Sequence, residues 1–384
     1  MKNTNKMKSK PLNIKTITCH NVYNYGASLQ EYALLYYLKR LGHNAKAIKY
    51  NPDYLSGHFN FWAVSNPKYN ENFVFRYAYL LAKLPSRILS LKRKYNFDKF
   101  STKYINTTKT EYKSNDELKN DVPDADVYIC GSDQIWNSFF QNGKDPAFYL
   151  DFAPEDKLKI SYAASFATKT IEEAIKPFVK NKVNNIDIIS VRESSGIAIL
   201  KDLDINNVTH VLDPVFLLNK ETWQKIATPV CISKPYILLY DADNNPSIKK
   251  YTLQIAKENN LKIISISPRI NYADKNLSNK GPDIFLSLIK DATFVISNSF
   301  HAVAFSIIFK KQFVVFNRSE KINTRMQDFV NLFNISNTIL AYNFQKKEKI
   351  NITNYIDYNK VTPLLEYQIK KSKLFITNSL NQKL

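Results

Sequence analysis

Four side chains with reactive or ionic chemistry stand at or just beyond runs of apolar residues that read as β-strands: Asp133, Arg192, Arg269 and His301. In open α/β sheets ligands bind outside the carboxyl ends of the strands, so residues at those positions share one rim. Two guanidinium groups there suit an anionic substrate, and a histidine with an aspartate suits one proton transfer. The same rim collects small donors and acceptors: Asn24, Tyr25 and Gly26 after the first strand, Gly131, Ser132 and Gln134 around Asp133, then Ser165, and Asn298 and Ser299 ahead of His301. Helices start after Gly26 and at His301, and their free N–H groups add donors for carboxylate or phosphate oxygens. Each reading has a plain structural rival. His301 can be a helix-start histidine satisfied by a carbonyl, Asp133 an N-cap, and Arg192 the partner of a structural carboxylate such as Glu193 or Asp213. His20 beside Cys19 has no second ligand pair at metal spacing, so no metal site is expected.

The elements that must position these residues alternate along the chain. Ile14 to Thr18 reads as a strand, Cys19 to Ala27 as a polar loop, and Leu29 to Leu38 as a helix ending at Gly42, a suitable left-handed C′ residue. Strands follow at Ala45–Ile48, Ala125–Cys130, Ile160–Ser165, Asp187–Val191 and Val208–Leu212, and the alternation restarts at Tyr236 and runs through Thr293–Ile296 and Gln312–Phe316. Strands alternating with helices predict parallel sheets, hence an α/β protein of two Rossmann-like domains facing a cleft. The expected division is a basic flexible N-terminus at 1–13, a first domain at 14–215, a linker at 216–234 and a second domain with a C-terminal helix at 235–384. A basic helix over about 72–95 is inserted in the first domain. Its apolar face suits either an anionic membrane or the domain itself, and Pro85 within the face and a basic cluster, Lys92-Arg93-Lys94, at its end favour the domain. Ala292 to Phe309 carries no Asp, Glu, Lys or Arg over a length close to a membrane span, but its serines, Asn298 and His301 make it a buried strand–turn–helix.

Composition narrows the function classes. Seven glycines in 384 residues, none closer than twelve positions, leave no place for a G-x-G-x-x-G dinucleotide fingerprint or a G-x-x-x-x-G-K phosphate loop. Of the formal +20, the first 110 residues contribute 19 basic against 4 acidic side chains, so the charge is concentrated in the N-terminal third. Such a surface suits an anionic membrane or polymer; no zinc-knuckle spacing or basic–aromatic interleaving supports nucleic acid. Three isolated cysteines and the lack of an apolar leader after the basic start predict a reducing, cytoplasmic setting.

Six segments, in order, carry a resemblance: Tyr23 to Gln30, Gly131-Ser132-Asp133-Gln134-Ile135-Trp136-Asn137, Ser161 to Phe166, Ser190-Val191-Arg192-Glu193, Leu212-Asp213-Pro214 and Ser297 to Ala302. Over residues 14–335 the chain resembles the bacterial polysaccharide pyruvyltransferase family. The resemblance implies a GT-B-like pair of domains with the active site between them. It also implies transfer of a pyruvyl group from phosphoenolpyruvate, the donor substrate, to a sugar of a surface polysaccharide or lipid-linked precursor as a cyclic ketal, with no cofactor. His301 is then the general acid, Asp133 the residue that orients or deprotonates the acceptor hydroxyl, and Arg192 and Arg269 the cations for the donor. The chain departs from the family at Ser299, where better-studied members carry an arginine; Arg269, Arg318 or Arg325 is then the compensating cation, or the donor differs. A nucleotide-sugar glycosyltransferase on the same scaffold and a non-catalytic glycan- or anion-binding relative are the competing readings. The implied setting is cytoplasmic and peripheral at the membrane's inner face.

Overall fold

A computed structural model describes residues 10–56, 64, 69, 72–268, 270–318, 324–340, 352–353 and 355–382. Most of the expected flexible N-terminus, all of Arg269 and the side chain of Arg325 lie outside the described residues.

The first sheet contains β1 (Asn13–Ile17), β2 (Asn44–Tyr50), β3 (Thr107–Tyr112), β4 (Val127–Cys130), β5 (Leu158–Ala164), β6 (Ile188–Val191) and β7 (Val208–His210), in the order β3-β2-β1-β4-β5-β6-β7. The second contains β8 (Tyr236–Tyr240), β9 (Lys262–Ser265), β10 (Lys275–Asn276), β11 (Phe294–Ser297), β12 (Gln312–Phe316) and β13 (Ile339–Leu340), in the order β10-β9-β8-β11-β12-β13. Every pairing in both sheets is parallel. These are two Rossmann-like sheets, as expected. Strands such as Val127–Cys130 and Phe294–Ser297 are buried along their whole length, which is why they read as continuous apolar runs and do not alternate. In each sheet the chain reverses its direction of progress between the first and fourth strands, opening a crevice between β1 and β4 and another between β8 and β11.

The helices of the first unit are α1 (Tyr25–Arg40), α2 (Asp53–Ser56), α3 (Phe73–Tyr104), α4 (Asn115–Asn120), α5 (Lys176–Val183) and α6 (Ser194–Asp202). The second unit follows with α7 (Lys220–Ile226), α8 (Pro246–Asn259), α9 (Pro282–Asp291), α10 (Phe300–Ile308), α11 (Thr324–Leu332) and α12 (Tyr358–Asn381). At the end of α1 the Gly42 N–H reaches the Lys39 carbonyl and the His43 N–H the Leu38 carbonyl, with Gly42 at φ 95°. That is the glycine-closed helix end the sequence predicts. The uncharged stretch 292–309 is β11, a two-residue turn and α10; Ser306 spends its hydroxyl on the Ala302 carbonyl one turn earlier, so it costs little in the core.

Three features depart from the sequence reading. First, α3 extends to Tyr104, so Lys92-Arg93-Lys94 lies in mid-helix and does not complement a helix end. Pro85 sits inside the helix without ending it, and the apolar stripe upstream faces outward: Phe73, Phe75, Leu81 and Ile88 are all more than half exposed. Second, the segment expected to be a linker is a wedge. Trp223 on α7 is fully buried between Tyr32 of α1 and Phe305 of α10, with its indole N–H on the Val215 carbonyl. Third, α12 belongs to both units. The Tyr358 hydroxyl at its start holds the Lys311 carbonyl of the second unit, while Ser372 accepts from the Leu212 N–H and Phe375 packs on Tyr162 of the first. One hydrophobic core therefore runs from Ile14 and Leu34 through Trp223 to Phe285 and Val303 without a break at the domain boundary.

Candidate active site in the interdomain cleft

The cleft is built by the loops at the carboxyl ends of both sheets. After β1, Asn24 adopts an extended backbone and accepts hydrogen bonds from the Gly26 and Ala27 N–H groups, which starts α1. Gly26 then meets the opposite domain. A Cβ built on it would lie 1.9 Å from Nδ1 of His301, so the imidazole rests directly on the Gly26 backbone and any larger residue displaces it.

After β4, Gly131 has φ 113°, and a Cβ there would lie 2.2 Å from the Tyr162 carbonyl oxygen; only glycine fits between these strands. The Ser132 hydroxyl donates to the Ala163 carbonyl at 2.7 Å and lies 3.2 Å from Oδ2 of Asp213. Asp133 takes φ 67°, turns its carboxylate toward the cleft and accepts from its neighbour's N–H at Gln134. Ser161 and Ser190 exchange side-chain hydrogen bonds with each other's backbones across a register shift in β5 and β6, which holds the bulge at Ala163 under this loop.

Asp213 is the hub of the charges. Fully buried, it bonds Nη1 of Arg192 at 2.6 Å through Oδ2, accepts the Val215 N–H at Oδ1, and stands 3.5 Å from Nε2 of His301. Burial alone would raise its carboxyl, but His301 and Arg192 outweigh that and hold it far below the ordinary carboxylate range. Arg192 is also buried, with 1% of its side chain exposed; its guanidinium lies 4.8 Å from the Phe300 ring centre and 3.6 Å from Oδ1 of Asp133. The structural rival thus describes the tightest contact of Arg192. Glu193 gathers Ser165 Oγ and the Phe166 and Ala167 N–H groups on one carboxylate oxygen, while the other lies 3.9 Å from Nε of Arg192. Ser165 therefore supports the loop and does not line the cavity.

On the second sheet, Asn298 ties two loops together, accepting from the Ala242 N–H and donating to Asp241, which in turn receives the Asp243 and Asn245 N–H groups. Burial raises the Asp241 carboxyl. Ser299 caps α10 through its backbone, with its N–H on Ser297 Oγ and no side-chain cap bond. Between the two rims is a cavity of about 110 Å³ lined by Asn24, Asp133, Gln134, Ser299, His301 and Arg318, among others. Arg318, just beyond β12, brings a guanidinium to this cavity; it is held by Asp243 through Nε at 2.9 Å and Nη2 at 2.7 Å.

Tyr25, expected at the site, is a packing residue. Its ring stacks on Phe285 at 4.7 Å and its hydroxyl accepts from Arg93 of α3, which also binds the Tyr23 and Ser278 carbonyls. Arg93 is the residue whose place at this seam the sequence reading passed over, because it lies in a helix with many other basic residues, whereas Arg318 is one of the three arginines named as a compensating cation. Among the described residues no group of three or more His, Cys, Asp or Glu side chains is placed to hold a metal ion.

The family profile described as polysaccharide pyruvyl transferase matches residues 24–320, which takes in both rims of the cleft and His301. The chain belongs to the polysaccharide pyruvyl transferase family. Its members are transferases. No curated protein matches the sequence closely. Among solved structures, UDP-GlcNAc 2-epimerase from Methanocaldococcus jannaschii shares 12% identity over 93% of this chain and 92% of its own, with a TM-score of 0.43. Heptosyltransferase WaaC from E. coli shares 10% over 92% and 99%, at 0.38, and an uncharacterized Klebsiella pneumoniae protein shares 15% over 65% and 85%, also at 0.38.

Proposed function

We propose that this polysaccharide pyruvyl transferase moves the pyruvyl group of phosphoenolpyruvate to two hydroxyls of a sugar, as a cyclic ketal with release of phosphate. The observation that supports this best is the His301 constellation: an imidazole from one domain seated on a glycine of the other, beside a buried Asp213–Arg192 pair and opposite Asp133. Phosphoenolpyruvate must accept a proton at its methylene carbon to become an oxocarbenium-like electrophile. His301 delivers that proton, and Asp213 fixes the ring that carries it. Asp133 takes the proton of the first attacking hydroxyl; the second hydroxyl closes the ketal as phosphate departs, its proton restoring His301 while the proton on Asp133 leaves with the phosphate. Arg318, with the N-terminus of α10, holds the donor's anionic oxygens and replaces the arginine that Ser299 displaces in this chain. Arg192 acts through Asp213 and the Phe300 ring, as a positioning residue.

The acceptor in this reading is a glycan of a surface polysaccharide or its lipid-linked precursor, met by a protein working at the cytoplasmic side of the membrane. Across the loop 19–24 from the small cavity, a second polar cavity of about 680 Å³ is lined by His20, Asn51 and Glu111 of the sheet rim and by Lys94, Asp98 and Thr102 of α3. It offers the room a sugar chain needs.

The test incubates the pure protein with phosphoenolpyruvate and a panel of lipid-linked and reducing-end-tagged glycans. Phosphate release matched by one pyruvyl ketal per acceptor supports the reading, and His301→Ala then loses roughly 10²–10⁴-fold in rate. No turnover with any acceptor, together with no thermal shift from phosphoenolpyruvate, contradicts it.

A further inference from the structure

The exposed large apolar side chains concentrate on the first half of α3. Tyr77, Leu81, Leu84, Ile88, Leu91 and Tyr95 follow one another at alternating spacings of four and three, so they form a single outward stripe along the helix. They are 44%, 68%, 39%, 53%, 41% and 67% exposed, and Phe73, Val74 and Phe75 extend the patch at its start. Leu80 and Arg87 pack inward at one flank of the stripe, and Phe97 and Phe100 on the face across the helix from it. A stripe this long on a water-facing surface marks a docking site.

Charge decides what docks. Between Phe73 and Phe97 the helix has six basic residues and no acidic one, and Arg76, Lys83 and Lys92 are exposed beside the stripe. Two copies of this face would bring like charges together, which opposes self-pairing. A bilayer bearing anionic lipid satisfies both components, the apolar stripe entering at the headgroup boundary and the lysines and arginine meeting phosphates. We infer that residues 73–95 of α3 present a docking face for an anionic membrane surface. Because α3 is one continuous helix, its later turns place Lys94, Asp98 and Thr102 in the wall of the large polar cavity. Docking therefore presents that cavity to the bilayer at a fixed distance; this last step rests on the reading that the acceptor is lipid-linked, whereas docking itself does not.

Sedimentation of the full chain with vesicles tests docking without any turnover. With phosphatidylcholine alone, little protein should pellet. With phosphatidylglycerol included, partitioning should rise by at least about tenfold, and fall back in high salt. The double variant Leu81→Glu/Ile88→Glu, at exposed positions away from the cleft, should lose vesicle binding about tenfold or more while keeping its melting temperature. Replacing Arg76, Lys83 and Lys92 by Gln should remove the dependence on anionic lipid. Equal binding to both vesicle types, no binding to either, or concentration-dependent dimers that the double variant abolishes would each overturn the inference, the last by showing that a second copy covers the stripe.

Discussion

Gly26 and His301 are 275 positions apart in sequence and touch in the fold, so each limits the other's choice of side chain. Gly26→Ala should push the imidazole aside by about an ångström and cost on the order of 10²-fold in kcat with a small change in melting temperature, measured by steady-state phosphate release. Asp213 supports the same ring from beneath. Asp213→Asn takes from the buried Arg192 the closest of its counter-charges and its side-chain hydrogen bond, and should destabilise the protein by about 3 kcal/mol in denaturant titration. A third pair reports on pH. His20 Nδ1 lies 2.9 Å from a carboxylate oxygen of Glu31, both buried, and although burial pulls the imidazole down, Glu31 outweighs it and raises its pKa. A raised folded-state value stabilises the fold fully below the unfolded histidine's pKa of about 6.5 and loses that contribution as pH climbs through the folded value. Glu31→Gln should therefore cost most stability in mildly acidic solution and progressively less toward alkaline pH, in a series of thermal melts.

At the level of elements, the strand–helix alternation was legible because buried parallel strands are short unbroken apolar runs, and the rim residues followed from strand ends. Asn24, Asp133, Gln134, Asn298, Ser299 and His301 all come to the cavity rim on that logic. Asp213 was visible as a possible partner for Arg192 and as part of the Leu212-Asp213-Pro214 segment, with no hint that it meets His301. Its place beneath His301 depends on β7 returning at the sheet edge and on α10 arriving from the other domain, a long-range outcome that local pattern does not encode. Tyr25 was misplaced for the same reason: a rim tyrosine looks like a site residue until the opposite domain presents Phe285 to stack on it. Helix α3 misled through its apolar face, which local patterning assigns to a core although the fold turns it outward. The wedge α7 carries an element-scale prediction. Trp223→Ala opens a cavity between Tyr32 and Phe305 and should cost about 3–5 kcal/mol in denaturant unfolding, a loss a solvated linker would not show.

For the whole molecule, the two Rossmann-like sheets share one core, and α12 fastens each to the other. The cleft is a seam whose two rims are brought together by folding, which suits a reaction in which donor and acceptor must be aligned away from bulk water. The scarcity of glycine has a molecular-scale meaning as well. Gly26 and Gly131 stand where the His301 imidazole of the opposite rim and the backbone of an adjacent strand come too close for a Cβ. Protonation of the methylene carbon of phosphoenolpyruvate by His301 in this cleft is tested most directly by mass spectrometry of the product formed in heavy water. The ketal should carry one deuteron on its methyl group per turnover, with the signal lost in step with turnover in His301→Ala; a ketal methyl formed without solvent deuterium, or at an undiminished rate in that variant, would contradict the proposed role of His301.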